Sequence, residues 1–280
     1  MPVMEITTGV GCKISCAYCP QETFVKAYVK RSNVMRMSLD AFKSYADKIP
    51  VYVDIIFSGM NEPWLNPDCT AMLLYAHERG RKITVNTTLV GMSVSDVDIL
   101  SGIPFERFIV HLPCVENYEK IEVNGDYLDV LERIEKSGIK IRYYFYGSAV
   151  HPQVGALIKD DIFRMTPYTR SGNIKIKGRY FRKRRKGVIA CQRRLRWNIL
   201  LPNGDVILCS NDYGMLHVLG NLNTDSYDSL FLSNEFLNVK KGLRDERIDI
   251  ICRYCDMYAK NEDIVAKLWN PIYFKHKDVL

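Results

Sequence analysis

The chain has 280 residues, of which 47% are hydrophobic and 25% charged, an ordinary balance for a globular protein that excludes extensive disorder. No apolar run approaches the roughly 20 residues that a membrane span needs, and residues 1–5 lack the basic-then-apolar pattern of a secretory signal. We therefore expect a cytoplasmic protein. Its nine cysteines should not form disulfides, because the cytosol keeps thiols reduced.

The positive charge is concentrated in one part of the chain. The net charge is +7, yet 13 basic residues fall between Arg164 and Arg196, with no acidic residue from Phe163 to Gly204. The rest of the chain is therefore net acidic. A solvated loop and a site for an anionic ligand are both consistent with such a segment.

Strand and helix patterns alternate over the first 170 residues. Strands are predicted at residues 3–8, 52–57, 82–86, 107–111 and 140–145, and helices at 38–49, 70–79, 93–100 and 127–136. Repeated βα units with short connections predict a parallel sheet with right-handed crossovers. Five or six units are too few for a closed eight-stranded barrel, so we expect an α/β fold with a partial (βα)6-type TIM barrel. Its chemistry should lie at the carboxyl ends of the strands.

The pattern changes after Gly172. Residues 198–201 and 206–209 flank a Pro-Asn-Gly-Asp turn, which predicts a β-hairpin, and a helix is predicted at residues 227–241. A C-x2-C pair follows. We therefore predict two domains: the partial barrel over residues 1–172 and a small α+β domain over residues 173–280.

Cys12, Cys16 and Cys19 form a C-x3-C-x2-C motif directly after the first predicted strand. Three thiolates on one loop can hold three irons of a cubane cluster. The alternative is a zinc site completed by histidine. No histidine lies near this loop in the sequence, and structural zinc favours C-x2-C pairs, so we favour an iron–sulfur site.

This motif, including the aromatic Tyr18 before its third cysteine, resembles that of the radical S-adenosylmethionine (SAM) superfamily. The resemblance implies a 4Fe–4S cluster whose open iron is chelated by the amino and carboxylate groups of SAM. It also implies cleavage of SAM to methionine and a 5′-deoxyadenosyl radical, with reduced flavodoxin or ferredoxin as the electron donor.

Three further segments resemble the family in the same order. Residues 58–63 are similar to the segment that binds the SAM amino group, which implies roles for Gly59, Asn61 and Glu62; Asn61 departs from the usual glycine. Asn86 and Thr87 at the end of the third strand resemble a ribose-contacting segment. Residues 170–173, beginning with Arg170, resemble the Arg-x-Gly segment that closes the barrel in members carrying an extra cluster.

The second cysteine group consists of Cys191, Cys209, Cys252 and Cys255. A zinc ribbon would also use four such cysteines. The Asn-Gly-Asp turn before Cys209 and the later C-x2-C pair are similar to the SPASM/twitch module of radical SAM enzymes. Four cysteines match its shorter, one-cluster form, which implies an auxiliary 4Fe–4S cluster with no open iron.

Among short members with this cysteine layout, the resemblance is to an aminoglycoside-pathway dehydrogenase that oxidises an amino-cyclitol alcohol to a ketone. We therefore expect oxidation of a secondary alcohol in a small, sugar-like and anionic substrate, with Arg170 orienting the hydroxyl.

One alternative is epimerisation, with Cys114 as the hydrogen donor at the end of the fourth strand. Modification of a ribosomal peptide is another, disfavoured because no peptide-recognition domain precedes the barrel. The non-enzyme alternative is a zinc-stabilised nucleic-acid-binding protein.

Overall fold

The computed structural model describes residues 1–175 and 183–259. Its strands are β1 Val3–Ile6, β2 Asp54–Phe57, β3 Ile83–Thr87, β4 Arg107–Leu112, β5 Ile141–Phe145, β6 Ile162–Arg164, β7 Ala190–Cys191, β8 Trp197–Leu200, β9 Asp205–Ile207, β10 Val218–Asn221 and β11 Tyr258–Ala259. Its α-helices are α1 Gln21–Tyr28, α2 Leu39–Lys48, α3 Cys69–Glu78, α4 Val94–Leu100, α5 Gly125–Glu135, α6 Pro152–Gly155 and α7 Asn234–Arg244. Short 3-10 helices span Pro63–Leu65, Asp228–Leu232 and Ile251–Tyr254.

One sheet organises the described residues, with the strand order β10-β9-β8-β1-β2-β3-β4-β5-β6. Strands β1 to β6 are parallel and adjacent in chain order, and at least one helix crosses between each pair. This arrangement confirms the predicted partial barrel. The carboxyl ends of its parallel strands therefore meet at one edge, where the motif loops lie.

The predicted hairpin forms, but it continues the main sheet. Strand β8 pairs in parallel with β1, aligning Val3 with Trp197 and Ile6 with Leu200, and β9 and β10 extend the sheet in antiparallel fashion. The free edge of β1 would otherwise expose unpaired backbone groups. Ile199 and Leu200 are fully buried in this position. The second cysteine group is thereby fixed beside the first strand of the barrel.

Several elements differ from the sequence-based expectation, which did not include β6, β7, β10, β11 or α6. Helix α1 was not predicted, because it starts two residues after Cys19 and Pro20 gives it no side-chain cap; it buries Phe24 and Tyr28. The helix predicted over residues 227–241 divides in two. Ser233 caps α7 by accepting a hydrogen bond from the Phe236 N–H, so the preceding turn stays a separate 3-10 helix.

Side-chain caps begin two of the barrel helices. Ser38 accepts a hydrogen bond from the Ala41 N–H at 3.2 Å, and Ser93 forms a capping box with Asp96.

No helix within residues 1–175 and 183–259 is long and apolar enough to cross a membrane.

Candidate functional site

The first cysteine motif lies in the loop at the carboxyl end of β1. Its turn is tightened by Ser15, whose φ is 47°, and the Cys19 N–H donates to the Cys16 carbonyl at 3.0 Å. Burial, together with the neighbouring Cys19 and Cys12 thiols, raises the pKa of Cys16 to about 12. Three thiols that hinder one another's ionisation need bound cations to become thiolates together. This donor set fits the irons of a cluster.

The Glu62 carboxylate joins the ends of β2 and β3. It is buried and accepts hydrogen bonds from the Thr87 hydroxyl (2.5 Å), the Thr88 N–H (2.7 Å) and the Thr88 hydroxyl (2.8 Å). Burial nevertheless raises its pKa to about 7. A carboxylate offers about four lone-pair positions, so Glu62 keeps acceptor capacity for a further donor such as an amino group.

Gly59 and Asn61 lie in the same loop and contact β1. Gly59 has a φ of 83°, and a Cβ there would lie 2.2 Å from the Thr7 hydroxyl, so this position requires glycine. The Asn61 side chain donates to the Thr8 hydroxyl at 3.4 Å. Its buried Oδ1 has no hydrogen-bond partner among the described residues. An orphaned acceptor beside the cysteine loop fits a ligand that brings its own N–H or O–H group.

Asn86 and Thr87 lie at the carboxyl end of β3, as predicted. Thr87 is buried, and its hydroxyl accepts the Leu89 N–H at 2.8 Å in addition to donating to Glu62. Asn86 is half-buried. A role for either residue toward SAM remains a prediction.

Aromatic rings form a cluster near the carboxyl ends of β4 and β5. Tyr18 lies 4.2 Å from Tyr146, measured between ring centroids, and Tyr146 stacks on His111 with an interplanar angle of 5°. The Tyr18 hydroxyl donates to Glu119 at 2.7 Å. Burial and the nearby Arg170 lower the pKa of His111 to about 4, so this imidazole is neutral near pH 7.

Arg170 begins a turn in which three consecutive residues, ending at Gly172, have positive φ. Its guanidinium lies over the Tyr168 ring, 4.3 Å from the centroid. Its charge lowers the pKa of both Cys19 and His111, against the larger effect of burial on the cysteine. Arg170 therefore lies near both the first cysteine motif and the aromatic cluster.

Cys114 follows β4 and is 1% exposed. Its sulfur accepts the Tyr118 N–H at 3.5 Å, and its own N–H donates to Glu119 at 3.3 Å. A Cβ built on Gly147 would lie 2.8 Å from the Cys114 Cβ and 3.0 Å from its sulfur. The thiol is thus packed closely beneath the Gly147 backbone.

The second cysteine group converges on one cavity. Cys191, Cys209, Cys252 and Cys255 all line it, although the sequence separates the first from the last by the whole hairpin and α7. Burial raises the pKa of Cys209 well above its usual range, and the nearby Asp212, Cys255 and Cys191 side chains raise it further. Four thiols around one cavity form a complete donor set for a second cluster.

Two residues that no motif indicated join the site. Glu119 is fully buried and accepts from Tyr18 and from the Cys114 N–H. The Tyr213 hydroxyl lies 3.7 Å from the Cys19 sulfur. Tyr213 lies 194 positions from Cys19 and Glu119 lies 101 positions from Tyr18, so spacing could not reveal either pair. No local signal distinguishes Glu119 from the neighbouring Glu116 and Glu122.

The basic segment is partly neutralised by the protein itself. Arg184 donates to the Glu246 carbonyl and lies 3.5 Å from Asp249, and Arg185 lies 4.0 Å from Asp256. Lys177, Arg179 and Arg182 of this segment lie outside the described residues. The acidic partners come from residues 246–256, which local charge counting along the segment does not reveal.

Two family models match the chain. The model of the radical SAM superfamily matches residues 6–153, and the model of an iron–sulfur cluster-binding domain, SPASM, matches residues 191–256. The first range contains the C-x3-C-x2-C motif, and the second contains all four cysteines of the second group. A comparison with curated protein sequences found no match.

Similar solved structures share the fold at low identity. BtrN in complex with AdoMet and 2-DOIA is 15% identical with a TM-score of 0.56, covering 87% of each chain. The anSMEcpe structure with bound AdoMet is 12% identical with a TM-score of 0.61, covering 84% of this chain and 81% of that one. Streptococcus suis SuiB bound to precursor peptide SuiA is 15% identical with a TM-score of 0.60, covering 86% and 67%.

Proposed function

The chain belongs to the radical SAM superfamily, and from this premise we propose that it oxidises a secondary alcohol of a small, sugar-like molecule to a ketone. The observation that carries the proposal is the cavity lined by Cys191, Cys209, Cys252 and Cys255. Four thiolates complete the ligand set of a 4Fe–4S cluster. A second cluster without an open iron suits a reaction in which the substrate must give up an electron.

Cys12, Cys16 and Cys19 would hold the SAM-binding cluster, and Glu62 and Asn61 offer acceptors beside it. When bound, SAM and the two clusters would supply the redox chemistry: reductive cleavage of SAM, removal of a hydrogen atom from the substrate and uptake of one electron from the substrate. The overall reaction converts SAM and the alcohol into methionine, 5′-deoxyadenosine, the ketone and a proton.

Arg170 is the residue we assign to the substrate hydroxyl. Its guanidinium lies over the Tyr168 ring, and its charge acts on both Cys19 and His111, so it lies near both the first cluster site and the aromatic cluster. A hydrogen bond from this cation stabilises the alkoxide that forms as the hydroxyl loses its proton. The same cation suits an anionic group on the substrate.

The substrate class and the electron donor are parts of this proposal. The BtrN structure, which holds AdoMet and 2-DOIA and is matched over 87% of its length, supports a small-molecule substrate. We propose reduced flavodoxin or ferredoxin as the source of the electron.

The surroundings of Cys114 favour dehydrogenation over epimerisation. An epimerase needs a thiol that can approach the substrate radical. The Cys114 sulfur instead accepts the Tyr118 N–H and lies beneath Gly147, and its side chain is nearly fully buried.

The experiment uses protein reconstituted with iron and sulfide, SAM, a chemical reductant and a panel of amino-cyclitols and sugar alcohols. We expect a product two hydrogens lighter than its substrate, formed in a one-to-one ratio with 5′-deoxyadenosine. Cys114→Ala should retain most of this activity. A product whose mass is unchanged in H2O but increases by one deuterium in D2O, and which Cys114→Ala no longer forms, would establish epimerisation instead.

The control replaces Cys12, Cys16 and Cys19 together with alanine. This variant should form no 5′-deoxyadenosine while it keeps about four of about eight irons, because the second cysteine group is untouched. If the triple variant still cleaves SAM, the assignment of the first cluster is wrong.

A further inference from the structure

One short segment connects the two cluster sites. Residues 209–213, here called the linking segment, begin at Cys209 in the second cavity and end at Tyr213, whose hydroxyl lies 3.7 Å from the Cys19 sulfur. Within it, the Asn211 side-chain amide lies 3.7 Å from the sulfur of Cys255. We propose that this segment adjusts the reduction potentials of both clusters, with Tyr213 donating a hydrogen bond to Cys19 and Asn211 donating one to Cys255.

The direction of the Tyr213 hydrogen bond follows from the chemistry of the ligand. A cysteine bound to iron is a thiolate without a proton, so it can only accept, and the phenol must donate. Tyr213 is 4% exposed and packs in an apolar cluster with Phe24, Met60 and Ile199. Among the described residues, the hydrogen-bond partner of the Tyr213 hydroxyl is Cys19. A buried hydroxyl is costly without a partner, which holds Tyr213 on this sulfur.

Gln21 supplies a second donor to the same sulfur. Its Oε1 lies 3.7 Å from the Cys19 sulfur, while its buried Nε2 has no partner among the described residues. An amide oxygen facing a thiolate is repelled. A half-turn of the amide exchanges its two ends, which brings the unpartnered Nε2 to the sulfur. The cluster-bound protein thus satisfies a buried donor that the thiol form leaves unmatched.

Asn211 is tied to the barrel as well as to the second site. Its carbonyl accepts from the Asn173 side chain at 3.0 Å, and Asn173 also donates to the Arg170 carbonyl at 2.7 Å. Cys255 additionally accepts the Met257 N–H at 3.2 Å. The sulfur of Cys255 therefore receives one side-chain and one backbone hydrogen bond, and the side-chain bond comes from the linking segment.

Hydrogen bonds to cluster sulfurs raise the reduction potential, because they stabilise the reduced, more negative state. Removing one donor should therefore make the affected cluster harder to reduce. The inference depends on the two cluster sites and not on the alcohol oxidation proposed above, so an unsuccessful substrate search leaves it standing.

The test measures the midpoint potential of each cluster in reconstituted protein by EPR-monitored redox titration, and adding SAM identifies the signal of the first cluster. Tyr213→Phe should lower the reduced-to-oxidised ratio of the SAM-binding cluster about tenfold at fixed potential, which is about 59 mV for one electron. The auxiliary cluster should not change. Asn211→Leu should show the reverse pattern.

Tyr28→Phe is the matched control. It removes a hydroxyl from the same apolar cluster, but that hydroxyl donates to the Val34 carbonyl, so both potentials should stay at the wild-type values. Gln21→Met keeps the side-chain length and should lower the potential of the first cluster, which tests the site even if Tyr213→Phe binds its clusters poorly. Unchanged potentials in Tyr213→Phe and Gln21→Met, or equal shifts of both clusters in each variant, would overturn the proposal.

Discussion

Asp256 holds the turn that presents Arg170. One oxygen of its carboxylate accepts both the Thr169 N–H (2.5 Å) and the Thr169 hydroxyl (2.7 Å). Thr169 directly precedes Arg170, and Asp256 directly follows Cys255 of the second cluster site. The position of the proposed substrate-binding arginine is thereby linked to the folding of the auxiliary site.

Breaking this link should destabilise the protein in a non-additive way. Asp256→Ala removes both acceptor contacts and should lower the free energy of unfolding by about 1–3 kcal/mol. Thr169→Val removes the hydroxyl alone and should cost about 1 kcal/mol. In the double variant the valine should cost less than it does alone, because the Asp256 partner of the hydroxyl is already gone and only the Gly172 N–H (3.2 Å) remains. Urea denaturation of the reconstituted protein measures all three, and strictly additive losses would contradict the link.

Gly59→Ala should disrupt the loop that carries Asn61 and Glu62. The new Cβ would lie 2.2 Å from the Thr7 hydroxyl and 3.0 Å from the Thr7 Cα, at a φ of 83°. We expect a loss of about 2–3 kcal/mol in unfolding free energy, and weakened SAM binding. Gly80→Ala is the matched control, because its φ is 67° but no atom lies within 4 Å of the added methyl group. It should cost about 1 kcal/mol, from the backbone conformation alone; equal losses in both would exclude the clash as the cause.

The raised pKa of Glu62 makes stability depend on pH. Because burial lifts its pKa from 4.5 to about 7, the folded protein binds a proton that the unfolded chain releases between these values. The contribution of this bound proton to the stability of the folded protein is fully present below pH 4.5 and is lost as pH rises through 7. In SAM-free protein we expect Glu62→Gln to remove about 3 kcal/mol of this pH dependence.

Urea midpoints at several pH values between 4.5 and 8 measure the effect. Thr88→Ala provides a directional check, because it removes a hydroxyl that lowers the pKa of Glu62 and should move the pH dependence upward. If Glu62→Gln retains the wild-type slope, another group is responsible for it.

The motif residues were predictable because their chemistry requires neighbours in the sequence. Three thiols on one loop and a loop after β2 each occupy a few consecutive positions, and the alternating βα pattern places them at one edge of the sheet. The order of strands β1 to β5 follows from the same pattern, whereas β6 was not among the predicted strands.

The supporting residues were not predictable in this way. Glu119 meets Tyr18 across 101 positions, Tyr213 meets Cys19 across 194, and Asp256 meets Thr169 across 87. The contacts of Tyr213 and Asp256 depend on how β8 joins the edge of β1, and short strands leave that pairing unspecified by periodicity. Charge counting along the segment could not find the partners of Arg184 either, since they lie more than 60 residues further along the chain.

Arg184 and Arg185 of the basic segment should contribute to stability more than to ligand binding. Arg185 lies over the Tyr258 ring at 4.3 Å and within 4.0 Å of Asp256, and its side chain is 19% exposed. Arg185→Gln should therefore lower the free energy of unfolding by about 1–2 kcal/mol, through lost packing as well as lost charge. Arg184→Gln removes a more exposed ion pair with Asp249, so it should lower the free energy of unfolding by less than about 1 kcal/mol. This destabilisation should become smaller at high salt.

Lys186→Gln is the control for this set, because it removes one charge from an exposed position in the same segment. It should leave the free energy of unfolding, measured with urea, within about 0.5 kcal/mol of the wild type.

The alternative interpretation is that the segment binds an anion, and it predicts a different result. If Arg184→Gln and Arg185→Gln keep their stability while the KM for an anionic substrate rises steeply and loses its salt dependence, these cations bind the substrate, because screening acts on exposed pairs between protein and ligand. Lost stability with an unchanged KM assigns them instead to the contacts that hold residues 249–258 around the second cluster site.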